Sequence, residues 1–329
     1  MNERENLSNL SARIGADPLL VQAAGGNTSL KQDGVMWIKA SGTWLKDAAL
    51  KEIFVPLNYE KLKAALSTND PDCESCIKFA RTDLNSTGLR PSIETSVHGL
   101  MPQAVVLHVH CVNTIAWAIH ENAEELLSEK LQGENWAFIP YARPGLNLSA
   151  AIRERLKPGC NVLVLGNHGL VVAADTVLGA EVLLRKVVEK LQRTARPVSN
   201  PDIASLTAIA KGTDYEPSLN AATHALAFDS VAVEVGAENV FYPDHVVFLG
   251  TKIPRDFSTN APAILVRRKG MLIRKNAKPA VEPMLRCLAD VFRRVEASAK
   301  LKALTPDQID QLLNWDAEKY RQTLPSSSF

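Results

Sequence analysis

Nothing in this chain's charge points to a polyanionic partner. Its 37 lysines and arginines nearly cancel its 36 aspartates and glutamates, leaving a formal charge of +1. Without an excess of either sign there is no electrostatic reason to expect nucleic acid or an anionic membrane. No apolar stretch approaches the roughly 20 residues that a membrane-spanning helix requires. The opening Met-Asn-Glu-Arg-Glu-Asn-Leu-Ser has no apolar signal core, so a cytoplasmic protein is expected. Cysteine is scarce: there are five, and Cys73-Glu-Ser-Cys76 is the one C-x-x-C. A zinc ribbon needs a second pair. A thioredoxin-like site wants the pair where a strand enters a helix, whereas here it opens a helix predicted over Cys73–Thr82. Reduced, incidental thiols are the expectation. A Walker loop and a dinucleotide fingerprint are also missing, because neither the glycine spacing nor the Lys-Ser/Thr they need is present.

What the chain does have is core material. It is 46% hydrophobic and 22% charged over 329 residues, enough for one large domain or two ordinary ones. The pattern predicts helices over Asn6–Gly15, Tyr59–Ser67, Ser92–Met101, Asn113–Glu125, Leu146–Leu156 and Val177–Thr194. Strands are predicted at Val35–Lys39, Phe54–Leu57, around His108, at Ala137–Ile139, Asn161–Leu165 and Gly169–Ala173. Ala23–Ser29 reads as a glycine turn. Helices packed on a mostly antiparallel sheet follow, an α/β sandwich rather than a parallel Rossmann sheet. Arg196-Pro-Val-Ser-Asn-Pro201 ends the long helix and divides the chain into residues 1–198 and 199–329. A shift of 101 places aligns Gly169, Glu181, Leu184, Arg185 and Arg193 with Gly270, Glu282, Leu285, Arg286 and Arg294. The second part therefore reads as a degenerate half-copy of the strand–turn–helix unit. In it Lys269 replaces His168, which argues against a second metal site. Leu304–Leu313 looks like a capped helix, followed by a Ser-rich terminus read as disordered.

Chemistry concentrates in three histidines. His108 and His110 stand in Ala-Val-Val-Leu-His-Val-His-Cys, and His168 in Val-Leu-Gly-Asn-His-Gly-Leu-Val-Val. Residues i and i+2 of a strand face one way, so the first two can reach one ion together. His168 falls where a second strand turns. Three imidazoles suffice for a catalytic zinc ion with one position open, although a lone His-x-His also occurs as a pair of hydrogen-bonded core histidines. Glu94 lies fourteen residues before His108, close enough for a short turn to bring its carboxylate to the metal as acid/base or extra ligand; by itself it reads as a solvated helix residue. His98, four residues on, suits a supporting role better than that of a fourth ligand. Gly25-Gly-Asn-Thr-Ser29 and Ser41-Gly-Thr43 offer backbone N–H groups and hydroxyls to a phosphate or carboxylate, though both are also ordinary turn chemistry.

In order along the chain stand Gly-Gly-Asn-Thr-Ser, Trp-Ile-Lys-Ala-Ser-Gly-Thr, Ser-Ile-Glu-x-x-x-His, His-x-His, Pro-Tyr-Ala-x-x-Gly and Asn-His-Gly-Leu-Val. This series resembles the class II aldolase/adducin family over about residues 5–195. Within the family it is most similar to the aldolase part of bifunctional rhamnulose-1-phosphate aldolase/alcohol dehydrogenase proteins, a likeness that extends to Tyr242-Pro-Asp-His-Val. The resemblance implies an α/β/α sandwich. It implies His108, His110 and His168 as ligands of Zn²⁺ or another divalent metal, with Glu94 as catalytic acid/base. Asn27, Thr28, Ser41, Gly42 and Ser92 would line the phosphate or carboxylate pocket. The implied reaction is retro-aldol cleavage of a keto-sugar or its phosphate, the metal stabilising an enediolate as a Lewis acid. A homo-oligomer, by family habit a tetramer, is implied as well. One departure stands out: family aldolases often carry, before Pro-Tyr-Ala, a tyrosine from a neighbouring subunit that protonates the leaving aldehyde, and Leu131–Ile139 has none. The C-terminal part would then supply a substitute, or the reaction would be the decarboxylation or 4-epimerisation that relatives perform. A non-catalytic, adducin-like binding protein is the third alternative.

Overall fold

Asn2 begins the first helix by accepting the Glu5 N–H through its side chain, leaving α1 (Glu3–Ala16) with Leu7, Leu10 and Ile14 on its buried face. The computed structural model describes residues 2–257 and 260–316; the Ser-rich terminus lies outside them. Seven strands follow: β1 (Asn27–Gln32), β2 (Val35–Lys39), β3 (Phe54–Asn58), β4 (Val105–Val109), β5 (Trp136–Ile139), β6 (Val162–Leu165) and β7 (Gly169–Ala174). They form one sheet in the order β3-β2-β1-β4-β7-β6-β5. The β5–β6 pair is parallel and the other pairs are antiparallel. Pro56, which has no N–H to give a ladder, is accommodated on edge strand β3.

Alternation along the strands builds three layers. Val105, Leu107 and Val109 point to one face with Val162, Val164, Leu170 and Val172, where α1 and α7 (Val177–Lys190) cover them. Val106, Leu163, Leu165 and Val171 point to the other, beneath α3 (Thr95–Leu100) and α6 (Leu146–Arg155). On that second side α2 (Tyr59–Ser67) packs over Met36, Ile38, Val55 and Leu57. The α/β/α sandwich expected from the sequence is the observed architecture.

Several expected elements differ. Ala23–Ser29 is a turn only as far as Gly26; Asn27 already belongs to β1. The helix expected over Ser92–Met101 starts at Thr95, because the Ser92 hydroxyl accepts the Glu94 N–H and the Ser92 carbonyl accepts the N–H and hydroxyl of Thr95 first. Cys73–Thr82 is two short 3₁₀ turns, interrupted where Cys76 takes a left-handed φ of 55°. Asn113–Glu125 divides into α4 (Val112–Ala118) and α5 (Ala123–Lys130).

Beyond α7 come α8 (Ile203–Ala210), β8 (Tyr215–Pro217), α9 (Pro243–Leu249), β9 (Ala263–Val266), β10 (Gly270–Arg274), α10 (Val281–Phe292) and α11 (Pro306–Leu313). A three-stranded sheet runs β8-β10-β9. The β9–β10 hairpin reproduces β6–β7 at the expected offset. Val266 faces Gly270 as Leu165 faces Gly169, and Arg268 and Asn167 take φ values of 57° and 54° at equivalent turn positions. The following helix begins at Val281, three residues later than the offset from Val177 would place it.

This second part does not close its core alone. Val112, Ile115, Ala116 and Ile119 from the α4 segment join Phe241, Leu265, Met271, Leu285 and Phe292 in one cluster. Asn167 adds a polar seam, donating through Nδ2 to Phe241 O at 2.9 Å and Lys302 O at 2.7 Å. Asn167→Ala would leave both carbonyls without that donor and put a Cβ-bearing residue with no side-chain hydrogen bond at positive φ. A loss of about 2–4 kcal/mol is expected by chemical denaturation. Asn167→Gly, which relieves the backbone but not the carbonyls, should recover only part; full recovery would assign the effect to strain.

Candidate metal centre

The centre of the sheet sets the site. His108 is paired with Asn27 of β1 on one side and Val171 of β7 on the other, so it is anchored through two ladders. His110 follows immediately after β4, and His168 occupies the β6–β7 turn. Gly169 is needed there, because a Cβ would come within 2.5 Å of Val109 O. The three imidazole centroids lie 5.0, 5.0 and 5.2 Å apart. Glu94, immediately before α3, completes the group. Its Oε2 is 3.3 Å from His108 Nε2 and its Oε1 is 3.3 Å from His168 Nε2. One ligand atom from each of Glu94, His108, His110 and His168 falls within 4.8 Å of every other, and all four residues are buried.

The protons of this group are fixed from outside. His108 Nδ1 is 3.1 Å from Leu170 O, an acceptor, so it carries the hydrogen and Nε2 is bare. His110 Nδ1 lies 2.9 Å from Asp244 Oδ2. A proton on Nδ1 would face that carboxylate and leave Nε2 bare. In that tautomer His110 Nε2 and His108 Nε2 converge at 3.2 Å, and the latter is 3.3 Å from a Glu94 oxygen. Converging lone pairs repel unless a cation lies among them. The donor set of three nitrogens and a carboxylate therefore fits a divalent ion such as zinc.

Ionisation agrees with that fit. Burial lowers His108 and takes His168 down to about 3, keeping both imidazoles neutral. Burial alone would raise Glu94, but His108, His168, His110 and the Asn27 amide outweigh it and bring the carboxyl to about 2. Asn27 Nδ2 donates to Glu94 Oε2 at 2.9 Å and to Ser92 Oγ at 3.1 Å. The Asn27 carbonyl oxygen must then accept, and His98 Nε2 supplies the hydrogen. That leaves His98 Nδ1 to accept from Ser29 Oγ at 2.7 Å. Ser29, His98 and Asn27 thus form a chain that holds Glu94, giving His98 the supporting role expected of it.

A cavity of about 20 Å³ adjoins Glu94, His110 and His168, lined also by Lys39, Ser41, Gly42, Ser92, Pro144 and Pro243. That is room for about one water. Among the described residues Ser41 Oγ, buried there, has no hydrogen-bond partner, and Gly42 holds φ at 77° beside it. Ser41 and Ile93 also border a larger groove of about 500 Å³ that contains Arg90. Asn27, Ser41, Gly42 and Ser92 are therefore all at the cavity. Thr28 is not: as the intervening residue of β1 it points to the opposite face, where its hydroxyl bonds Ser11 of α1 at 2.7 Å. Thr28 is thereby corrected from a pocket side chain to one that docks the first helix.

Sequence reasoning missed Lys39, Pro144 and Asp244 as part of the site. Lys39 was legible as the charged residue of Trp-Ile-Lys-Ala-Ser-Gly-Thr; its buried Nζ donates to Ala24 O and Gly26 O at 2.8 and 3.0 Å, tying β2 to the glycine turn. Asp244 stood in Tyr242-Pro-Asp-His-Val without a signal tying it to a histidine more than a hundred residues earlier. Among the described residues, no tyrosine lines the cavity.

A pH dependence follows. His98, His108, His168 and His245 are all lowered by burial, the last two to about 3. Their folded values lie below the unfolded value of about 6.5, so unfolding takes up protons in acid. The stability they contribute is complete above about pH 6.5 and drains as pH falls toward 3. Denaturation of metal-free protein near pH 5 should show uptake of about three protons or more, each worth about 1.4 kcal/mol per pH unit. Equal stability at pH 5 and 7 would contradict this.

Comparison with known proteins assigns the family. Residues 7–194 match the model of the class II aldolase and adducin N-terminal domain, and the chain belongs to that family. A protein of Bacillus subtilis (strain 168), described as the uncharacterized oxidoreductase YuxG, is 28% identical over 226 residues, covering 65% of this chain. The match takes in 32% of that protein, so the chain spans about a third of its length. Among solved structures, the N-terminal class II aldolase domain of a conserved Thermoplasma acidophilum protein is 25% identical, with a TM-score of 0.49 over 56% of this chain and 90% of that one. L-Fuculose-1-phosphate aldolase from Thermus thermophilus is 17% identical, with a TM-score of 0.36 over 57% and 92%. No helix among the described residues is long and apolar enough to cross a membrane.

Proposed function

We propose that this chain is a metal-dependent aldehyde-lyase that cleaves a phosphorylated keto-sugar by a retro-aldol reaction. The observation that carries the reading is the buried Glu94 carboxylate, 3.3 Å from both His108 and His168 at the edge of a cavity. His108, His110 and His168 would hold the ion, zinc by its donor set, with Glu94 within reach of it. A bound divalent ion supplies Lewis-acid polarisation of a carbonyl or hydroxyl oxygen.

The chain's own residues do the rest. Glu94, ionised at neutral pH, moves a proton to or from the carbon next to the carbonyl, and Asn27 keeps its carboxylate turned inward. The buried Ser41 hydroxyl and the Gly42 backbone offer a neutral hold for phosphate oxygens. Arg90, in the groove beyond Ser41 and Ile93, adds a cation for the same group. The 20 Å³ beside the ligands admits the reacting atoms but not a whole sugar, so the remainder would lie toward that groove. A homo-oligomer with active sites near its contacts belongs to the same reading.

A second reading is favoured by one observation: Leu131–Ile139, the segment in which family aldolases often carry a tyrosine that reaches a neighbouring subunit's site and protonates the leaving aldehyde, has no tyrosine. A decarboxylase or 4-epimerase of an acid-sugar or sugar phosphate would not need one. A non-catalytic, adducin-like role fits less well with an intact set of converging ligands. A panel of phosphorylated ketoses and acid sugars, scored for aldehyde, CO₂ and epimer, separates these readings. Dihydroxyacetone phosphate together with an aldehyde is expected; CO₂ or an epimer without it would replace the lyase, and no turnover at all would favour the binding role.

A further inference from the structure

A divalent ion in this donor set would not be neutralised by its own ligands. A divalent ion among three neutral imidazoles and one carboxylate leaves one net positive charge in a buried place, and an unbalanced buried charge is costly. The compensating group comes from the far part of the chain. Asp244 stands in the first turn of α9, after Pro243, and is 3% exposed. Its Oδ2 is 2.9 Å from His110 Nδ1, on the side of the ring away from the Nε2 that meets His108. It is not one of the four residues whose ligand atoms converge.

The surroundings are shaped around this pairing. At Gly25 a Cβ would lie 2.7 Å from His110 Nδ1 and 3.0 Å from Asp244 Oδ2, so only glycine leaves room for both. Gln22 Nε2 donates to the His110 carbonyl at 3.3 Å, fixing the backbone beneath the ring. The helix that delivers Asp244 is anchored on both sides. Tyr242 is buried with its hydroxyl 3.6 Å from Cys287 Sγ on α10, and Phe241 O is held by Asn167, beside His168. The second part of the chain is therefore attached to the metal centre at two ligand-bearing segments.

We propose that Asp244 is a positioning residue for the metal centre: it holds the His110 ring with Nε2 toward the ion and supplies the second negative charge that balances it. The half-copy then completes the centre, and the first 198 residues alone are an incomplete one. This inference rests on the metal-site reading above. A carboxylate behind a metal-binding histidine makes the ring a better ligand, and losing such a partner typically costs about 10–100-fold in affinity.

The test is binding of Co²⁺ to the full-length, metal-stripped chain, by chelator competition and by the visible absorption of the bound ion. Wild type should bind one ion per chain. Asp244→Ala should bind it about 10–100-fold more weakly with altered absorption bands. Asp244→Asn, which keeps an acceptor oxygen but not the charge, should fall between them. The melting temperature of the metal-free variants, read in parallel, separates a general loss of folding from a loss at the metal. Wild-type affinity and an unchanged spectrum in both variants, with wild type binding normally, would overturn the inference while leaving the metal site intact. Failure of the wild type itself to bind would overturn the metal-site reading and this inference with it.

Discussion

Glu94→Gln should lower turnover by about 10²–10⁴-fold while one divalent ion still binds each chain. The amide keeps the shape of the side chain and an oxygen to face Asn27, so the three histidines stay in place. What disappears is the carboxylate that His108, His168, His110 and Asn27 hold ionised down to about pH 2. Because the carboxylate is also within reach of the ion, some weakening of metal affinity should accompany the loss of rate. The assay is steady-state turnover on whichever substrate the product panel identifies, alongside metal analysis of the same preparation. Activity within a few-fold of wild type would remove Glu94 from acid/base duty.

His108→Ala should have the largest effect on the metal itself. His108 stands at the centre of the site, 3.2 Å from His110 Nε2 and 3.3 Å from Glu94 Oε2, with its own Nδ1 bound to Leu170 O. Its removal should weaken divalent metal binding by more than the roughly 10–100-fold that the loss of an outer partner costs. Turnover should fall with it. Since His108 sits between β1 and β7 within the sheet, the alanine also leaves a cavity, and a lower melting temperature is expected. His108→Gln keeps more of the volume and separates the two effects. Stoichiometric metal at wild-type affinity in either variant would contradict the assignment.

Much of this was legible in the sequence, for identifiable reasons. Tyr59–Ser67 and Val35–Lys39 were bounded correctly because their capping, turn and apolar signals are local. The His-x-His spacing pointed to a shared face because strand alternation is rigid. The β6–β7 and β9–β10 hairpins share one register 101 residues apart because strand pairing fixes it. What was missed depended on tertiary context. Thr28 looked like a pocket hydroxyl until β1 was found to begin at Asn27, which turns alternate side chains toward α1. Glu94 looked like a member of a helix face, whereas the Ser92 turn holds it outside the helix and aims it at the histidines. Asp244 is brought beside His110 by the docking of α9, through contacts between residues far apart in sequence.

The central claim is that Glu94, His108, His110 and His168 hold one divalent ion. Anomalous diffraction from crystals of the zinc-loaded protein, recorded on either side of the zinc edge, tests it most directly. One peak per chain is expected, about 2.0–2.1 Å from the Nε2 atoms of the three histidines and within bonding reach of a Glu94 oxygen. No peak at that point, or a peak held by other residues, would contradict the account.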